Sequence, residues 1–76
     1  MVNEKLVLLL AENFDLEPSL INSESTLAGD LMMEELDVAR MVIMVEKAFS
    51  ITIYDDKAAF FATIGDVEKV ISAVNN

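Results

Sequence analysis

Apolar residues recur along this chain at spacings of three and four, the period of a helix that buries one face. In the first segment Leu6, Leu9 and Leu10 share an inner face and Asn3 is placed to cap, which predicts a helix to about Phe14. Val7 and Leu8 are apolar as well, so this helix carries hydrophobic surface on more than one side. Deep packing is the first reading, and an exposed patch for a partner or a second copy is the alternative. A second helix is predicted over roughly Glu35 to Phe49, with Leu36, Ala39, Val42, Val45 (or Met41) and Phe49 at helical spacing. A third long pattern runs from Gly65 to about Val74 and places Val67, Val70, Ile71 and Val74 inward. It follows Thr63-Ile64-Gly65-Asp66, which has the spacing of a capping box with Asp in place of the usual Glu.

The stretch from Asp15 to Asp30 reads as a long connection. Pro18 discourages helix at Glu17, and Ser19, Asn22, Ser23, Ser25, Thr26 and Gly29 are turn and cap formers. Leu20, Ile21 and Leu27 are expected to pin this loop to the core. Asp30, Glu34, Glu35 and Asp37 crowd the start of the second helix, where the helix dipole favours negative charge by about 0.3–1 kcal/mol per group. Asp30 followed by Met32 and Met33 offers an earlier helix start as an alternative. Ile51, Ile53 and Tyr54 look strand-like but are too few to find a partner, so they read as an extended connector. Asp55 then caps a short helix, Asp56 to Phe61. The sum is an all-α fold in a single domain over 1–76: a small bundle of three main helices, one short helix and a long first loop. Thr26-Leu27-Ala28-Gly29-Asp30 echoes in Thr63-Ile64-Gly65-Asp66, but the echo does not extend, and it is read as chance.

Charge narrows the function classes. Lys and Arg number 5 against 14 Asp and Glu, for a net charge of −9. That excludes nucleic-acid binding by charge, because the phosphate backbone would repel the chain, and it disfavours anionic membranes. Basic partner proteins are what it invites. The chain has no Cys and no His, so disulfides, zinc-finger ligands and Ser–His–Asp chemistry are excluded within it. A chain of 76 residues has little room for an enclosed active site. The pairs Glu34–Glu35 and Asp55–Asp56 are sequence neighbours, which do not face each other on a helix. No calcium loop with its central Gly is present, and divalent-ion binding by the acidic cluster would be weak and unspecific. The expectation is no enzyme, no catalytic residue and no metal site. The longest purely apolar run, Leu6 to Ala11, is far short of a membrane span, and the N-terminus lacks the basic region and cleavage site of a signal peptide. A cytoplasmic monomer is expected.

From Asp30 to Phe49 the chain reads Asp-Leu-Met-Met-Glu-Glu-Leu-Asp-Val-Ala-Arg-Met-Val-Ile-Met-Val-Glu-Lys-Ala-Phe. This resembles the central segment of acyl carrier proteins: Asp-Leu, two small residues, Asp-Ser-Leu-Asp, then an amphipathic helix ending Glu-x-x-Phe. The resemblance continues through Ile51-x-Ile53, Asp55-Asp56, Ala58 and Thr63-Ile64-Gly65-Asp66-Val67, and backward to Leu6, Leu9, Leu10 and Phe14. It spans essentially the whole chain without gaps. The family carries acyl thioesters on a phosphopantetheine arm, which a separate transferase attaches to the motif serine. Here that position is Glu35, the preceding Asp is Glu34, and the small pair is Met32-Met33. The resemblance therefore implies the fold without the attachment residue, and no cofactor is expected. Ser19, Ser23, Ser25, Ser50 and Ser72 do not repeat the motif at a predicted helix start.

In the family the acidic second helix docks on basic patches of partner enzymes. Carried over by position, Glu34, Glu35, Asp37 and Glu46 keep the acidic character, and Leu36 and Ile43 match apolar positions shown to partners. Arg40 and Lys47 depart from the pattern. These eight residues form the expected partner-binding face, toward the basic docking surface of a fatty-acid or polyketide-type enzyme. Phe60 falls where the family is polar; a repacked short helix is the expectation, and an anchor for a partner is the alternative. The function implied is an unloaded carrier-like binding or regulatory partner. A true acyl carrier whose serine has been substituted, and a structural or self-associating helical module, stand as alternatives.

Overall fold

The computed structural model describes residues 3–75, with side chains described through residue 73. Helix α1 spans Glu4–Phe14. Asn3 caps it: its Oδ1 accepts the N–H of Lys5 at 2.8 Å and of Leu6 at 3.3 Å. The helix ends at Asp15 in the left-handed conformation, whose N–H returns to the Ala11 carbonyl. Leu6 and Leu10 are fully buried, each contributing about 1.5–3 kcal/mol of apolar burial. Leu8 stays 57% exposed, so part of the surplus apolar surface of α1 does face water.

Residues 15–34 form an ordered loop with one 3-10 turn, Pro18–Leu20. Ile21, Leu27, Leu31 and Met33 insert into the core from it. Leu20, expected beside them, is half exposed instead, because the 3-10 turn points it outward while its carbonyl takes the hydroxyl of buried Ser25 at 2.5 Å. Helix α2 spans Glu35–Phe49, and the earlier start at Asp30 is not taken: Met32 sits at φ 53° in the left-handed region and Met33 is buried before the helix begins. Asp37 Oδ2 accepts the N–H of Glu34 at 2.9 Å and so closes the helix start. The buried stripe of α2 is centred on Met41 and Val45, with Val38, Val42 and Phe49 packed beside them. Leu36 and Ala39, which share the helical spacing, face solvent.

Ser50 ends α2 as Asp15 ends α1, at φ 54°. Residues 51–54 are an extended connector with Ile51 and Ile53 buried. Helix α3, Asp55–Ala58, starts one residue earlier than expected, with Tyr54 at its N-cap, and it gives way to turns before Phe61. Helix α4 spans Ile64–Asn75, with Ile64, Val67 and Ile71 buried. The side chain of Val74, expected inward, lies outside the described residues. Among the described residues there is no strand, and the fold is the expected all-α bundle.

The two echoing segments turn out to be neighbours. Thr26 and Thr63 form an isolated antiparallel bridge. Each segment closes the same reciprocal pair of bonds: Thr26 N–H with Asp30 and Asp30 N–H with the Thr26 hydroxyl, then Thr63 N–H with Asp66 and Asp66 N–H with the Thr63 hydroxyl. The echo is therefore two similar turns docked side by side, which anchor the loop to the start of α4 through Leu27 N–H to the Ala62 carbonyl and Ile64 N–H to the Ser25 carbonyl.

Candidate functional site

The exposed side of α2 and the short α3 enclose an open groove of about 680 Å³. Its floor is apolar, from Val38, Val42, Ile53 and Phe61, and three carboxylates line it: Glu35 and Glu46 from α2, and Asp55 from α3. Glu35, Ala39, Ile43 and Glu46 lie at spacings of four, four and three, which one helical face requires. Asp55 reads in the sequence as a cap and as one of an adjacent acidic pair, and it joins Glu35 and Glu46 in lining the groove through the path of the connector.

The expected partner face divides into distinct surroundings. Glu35 is the first residue of α2 and exposed, and Glu34 precedes it, also exposed. Leu36, in the first turn of α2, is 79% exposed, and Ile43, about two turns further along, is 53% exposed. Arg40 and Lys47 continue the stripe of Leu36 and Ile43, and both are exposed. Arg40 is nonetheless engaged within the chain: its guanidinium lies 5.2 Å from the centre of the Phe14 ring and 3.8 Å from Asp37 Oδ1. Asp37 serves that pair as well as the helix start.

Glu46 is not a free surface charge. Its Oε2 accepts the N–H of Ile53 at 2.8 Å, which ties the connector to the last turns of α2 and so sets the position of α3 against the groove. Lys5 fixes the same end of α2 from α1, donating to the Ala48 carbonyl and lying 5.0 Å over the Phe49 ring. Phe60 corrects the expectation of a repacked short helix: it is 83% exposed, and Phe61 is the aromatic that packs on the core. Successive turns at residues 57–61 direct Phe60 outward. Among the described residues, no three carboxylates gather as a metal ion requires. No helix described is long and apolar enough to cross a membrane.

The small all-α bundle thus carries an open, acid-lined groove that includes Ile43, with Leu36 also exposed on α2. No family model matches the chain. It is 34% identical over 70 residues to an acyl carrier protein of Prochlorococcus marinus (strain MIT 9515), a match covering 92% of this chain and 88% of that one. It is 35% identical over 66 residues to an acyl carrier protein of Sulfurovum sp. (strain NBC37-1), covering 87% and 88%. A third acyl carrier protein, of Amoebophilus asiaticus (strain 5a2), is 30% identical over 66 residues, covering 87% and 82%. The chain belongs to the acyl carrier protein family. The relatives are named as carriers, in keeping with the expectation that the chain is not an enzyme.

Proposed function

We propose that this chain is an acyl carrier protein-family member that takes no phosphopantetheine arm and acts unloaded, as a binding or regulatory partner in fatty-acid or polyketide-type metabolism in the cytoplasm. The observation that carries the reading is Glu35. It stands exposed as the first residue of α2, and the sequence resemblance aligns it with the family's serine. A carboxylate on a phosphoryl group gives a mixed anhydride that water hydrolyses, not a stable phosphodiester. The residues present therefore do not fit the arm. The serines elsewhere offer no substitute. Ser19 lies in the 3-10 turn, Ser23 in the loop, Ser50 behind α2 and Ser72 late in α4, while Ser25 is buried with its hydroxyl committed to the Leu20 carbonyl.

A fixed carboxylate at the start of α2 supplies about one negative charge where the helix dipole favours anions. Glu35 thus reproduces in part the charge that a phosphodiester would bring, without the arm. The net charge of −9 steers the chain toward a basic surface, and Leu36 and Ile43 supply apolar contact once it arrives. The test is affinity for a basic, carrier-docking enzyme of fatty-acid synthesis, measured at low and high salt with the natural chain and Glu35→Gln. The account expects binding that weakens with salt and weakens again in Glu35→Gln. Affinity indifferent to both would overturn it.

A further inference from the structure

A second groove, of about 370 Å³, lies between the connector and α4 and shares only Ile53 with the groove beside α2. Ile53, Val70, Ala73 and the ring of Tyr54 give it apolar walls, and Lys57 and Lys69 line it with no carboxylate among them. That is an unusual concentration of positive charge for a chain with 5 cationic residues against 14 anionic ones. Arg40 is held by Asp37 and Phe14, and Lys5 by Ala48 and Phe49. Of the three that remain, two line this one groove. Among the described residues neither forms an ion pair. Asp66 is close enough to feel the charge of Lys69, but its Oδ2 is already committed to the N–H groups of Ala62 and Thr63.

Size and charge together select the occupant. The volume is at the lower end of the roughly 300–1,000 Å³ of small-molecule sites. A polyanionic protein segment would meet the repulsion of a molecule of net charge −9 at each of its charges. A small monoanion meets it once and gains two local ammonium groups. We propose that this groove binds a small monoanionic amphiphile, a carboxylate with a short alkyl or aryl body. The carboxylate pairs with Lys57 and Lys69, and the apolar body lies on Ile53, Val70, Ala73 and Tyr54.

Octanoate is the probe, with 1-octanol and octylammonium as neutral and cationic comparators, titrated into the full chain. Backbone amide shifts report the place of binding. Fluorescence reports it independently, because Tyr54 is the one tyrosine and the chain has no tryptophan. Saturable octanoate binding with a dissociation constant on the order of 1 mM is expected, with shifts concentrated at residues 52–54, 57 and 69–73. The double variant Lys57→Gln/Lys69→Gln should weaken octanoate about tenfold and leave octanol unchanged. Ala73→Glu, at an exposed position, should remove binding while circular dichroism shows the fold intact. Octanol or octylammonium binding as tightly as octanoate would overturn the proposal. So would shifts centred on Val38, Ile43 and Ala59, or shifts at residues 52–54 that follow protein concentration alone, the mark of a second copy in the groove.

Discussion

Replacing Glu46 by alanine should loosen the connector and α3 while leaving the helices themselves formed. The bond from Ile53 N–H to Glu46 Oε2 is 2.8 Å long and partly buried, beside an Ile53 side chain that is 5% exposed. Residues 51–54 pair with no strand, so no ladder holds that N–H once the carboxylate is gone. A hydrogen bond to a charged group contributes about 1.5–3 kcal/mol, and partial exposure of this one places the loss near the lower end, about 1.5–2 kcal/mol. In a domain of this size each kcal/mol shifts Tm by about 4–8 °C, so Glu46→Ala should melt about 6–16 °C lower. Glu46→Gln keeps an acceptor without the charge and should lose about half as much. Thermal melting gives the global figure, and hydrogen exchange at the Ile53 amide gives the local one. A Tm within about 2 °C of the parent together with an Ile53 amide still protected would refute the reasoning, and Glu46 would then return to the surface charges open to a partner.

Other consequences are as concrete. The carboxyl of Asp66 is held below the ordinary carboxylate range, first by the N–H of Ala62 and then by that of Thr63. A depressed folded-state pKa gives stability that is fully present above the unfolded value, about 3.9, and is lost as pH falls through the folded value. Asp66→Asn should therefore lower the urea midpoint at neutral pH, by about 1 kcal/mol of cap stability, and the difference from the parent should shrink in acid; a difference that grows in acid would contradict it. Gly65→Ala should destabilise, although helix propensity alone would favour alanine by about 1 kcal/mol. A Cβ at Gly65 would stand 2.9 Å from the Ser23 carbonyl oxygen, which already accepts the Gly65 N–H, and a raised urea midpoint would argue against that close approach. Phe60→Ser should change stability by less than about 0.5 kcal/mol in urea unfolding, since the ring is 83% exposed; a larger loss would mean that the ring packs after all.

The long helices were legible because local signals and tertiary packing agree on them. Asn3, the apolar positions of α1 at spacings of three and four, and the Thr63–Asp66 spacing each act within a few residues, and each does in the structure what its spacing requires. The inner face of α2 was only half legible. Apolar residues at 36, 38, 39 and at every position from 41 to 45 support more than one helical stripe, so the period cannot choose between Leu36 and Met41. Docking against the other helices chooses Met41 and leaves Leu36 to solvent. The pairing of Thr26 with Thr63 and the tie from Glu46 to Ile53 join parts of the chain that no local pattern connects. Phe60 misled for a simpler reason. One further turn after α3 decides whether an aromatic points in or out, and Phe61 took the inward position. At the candidate site, the groove-lining residues of α2 were readable from helical spacing, whereas Asp55 became a site residue only once the connector folded back.

The central claim is that this chain cannot be loaded, and intact mass tests it most directly. The natural chain and Glu35→Ser are each incubated with coenzyme A and a broad-specificity phosphopantetheinyl transferase. The account predicts no added arm on the natural chain and a single arm on Glu35→Ser. An arm on the natural chain would contradict it, and peptide mapping would then identify the serine that carries it.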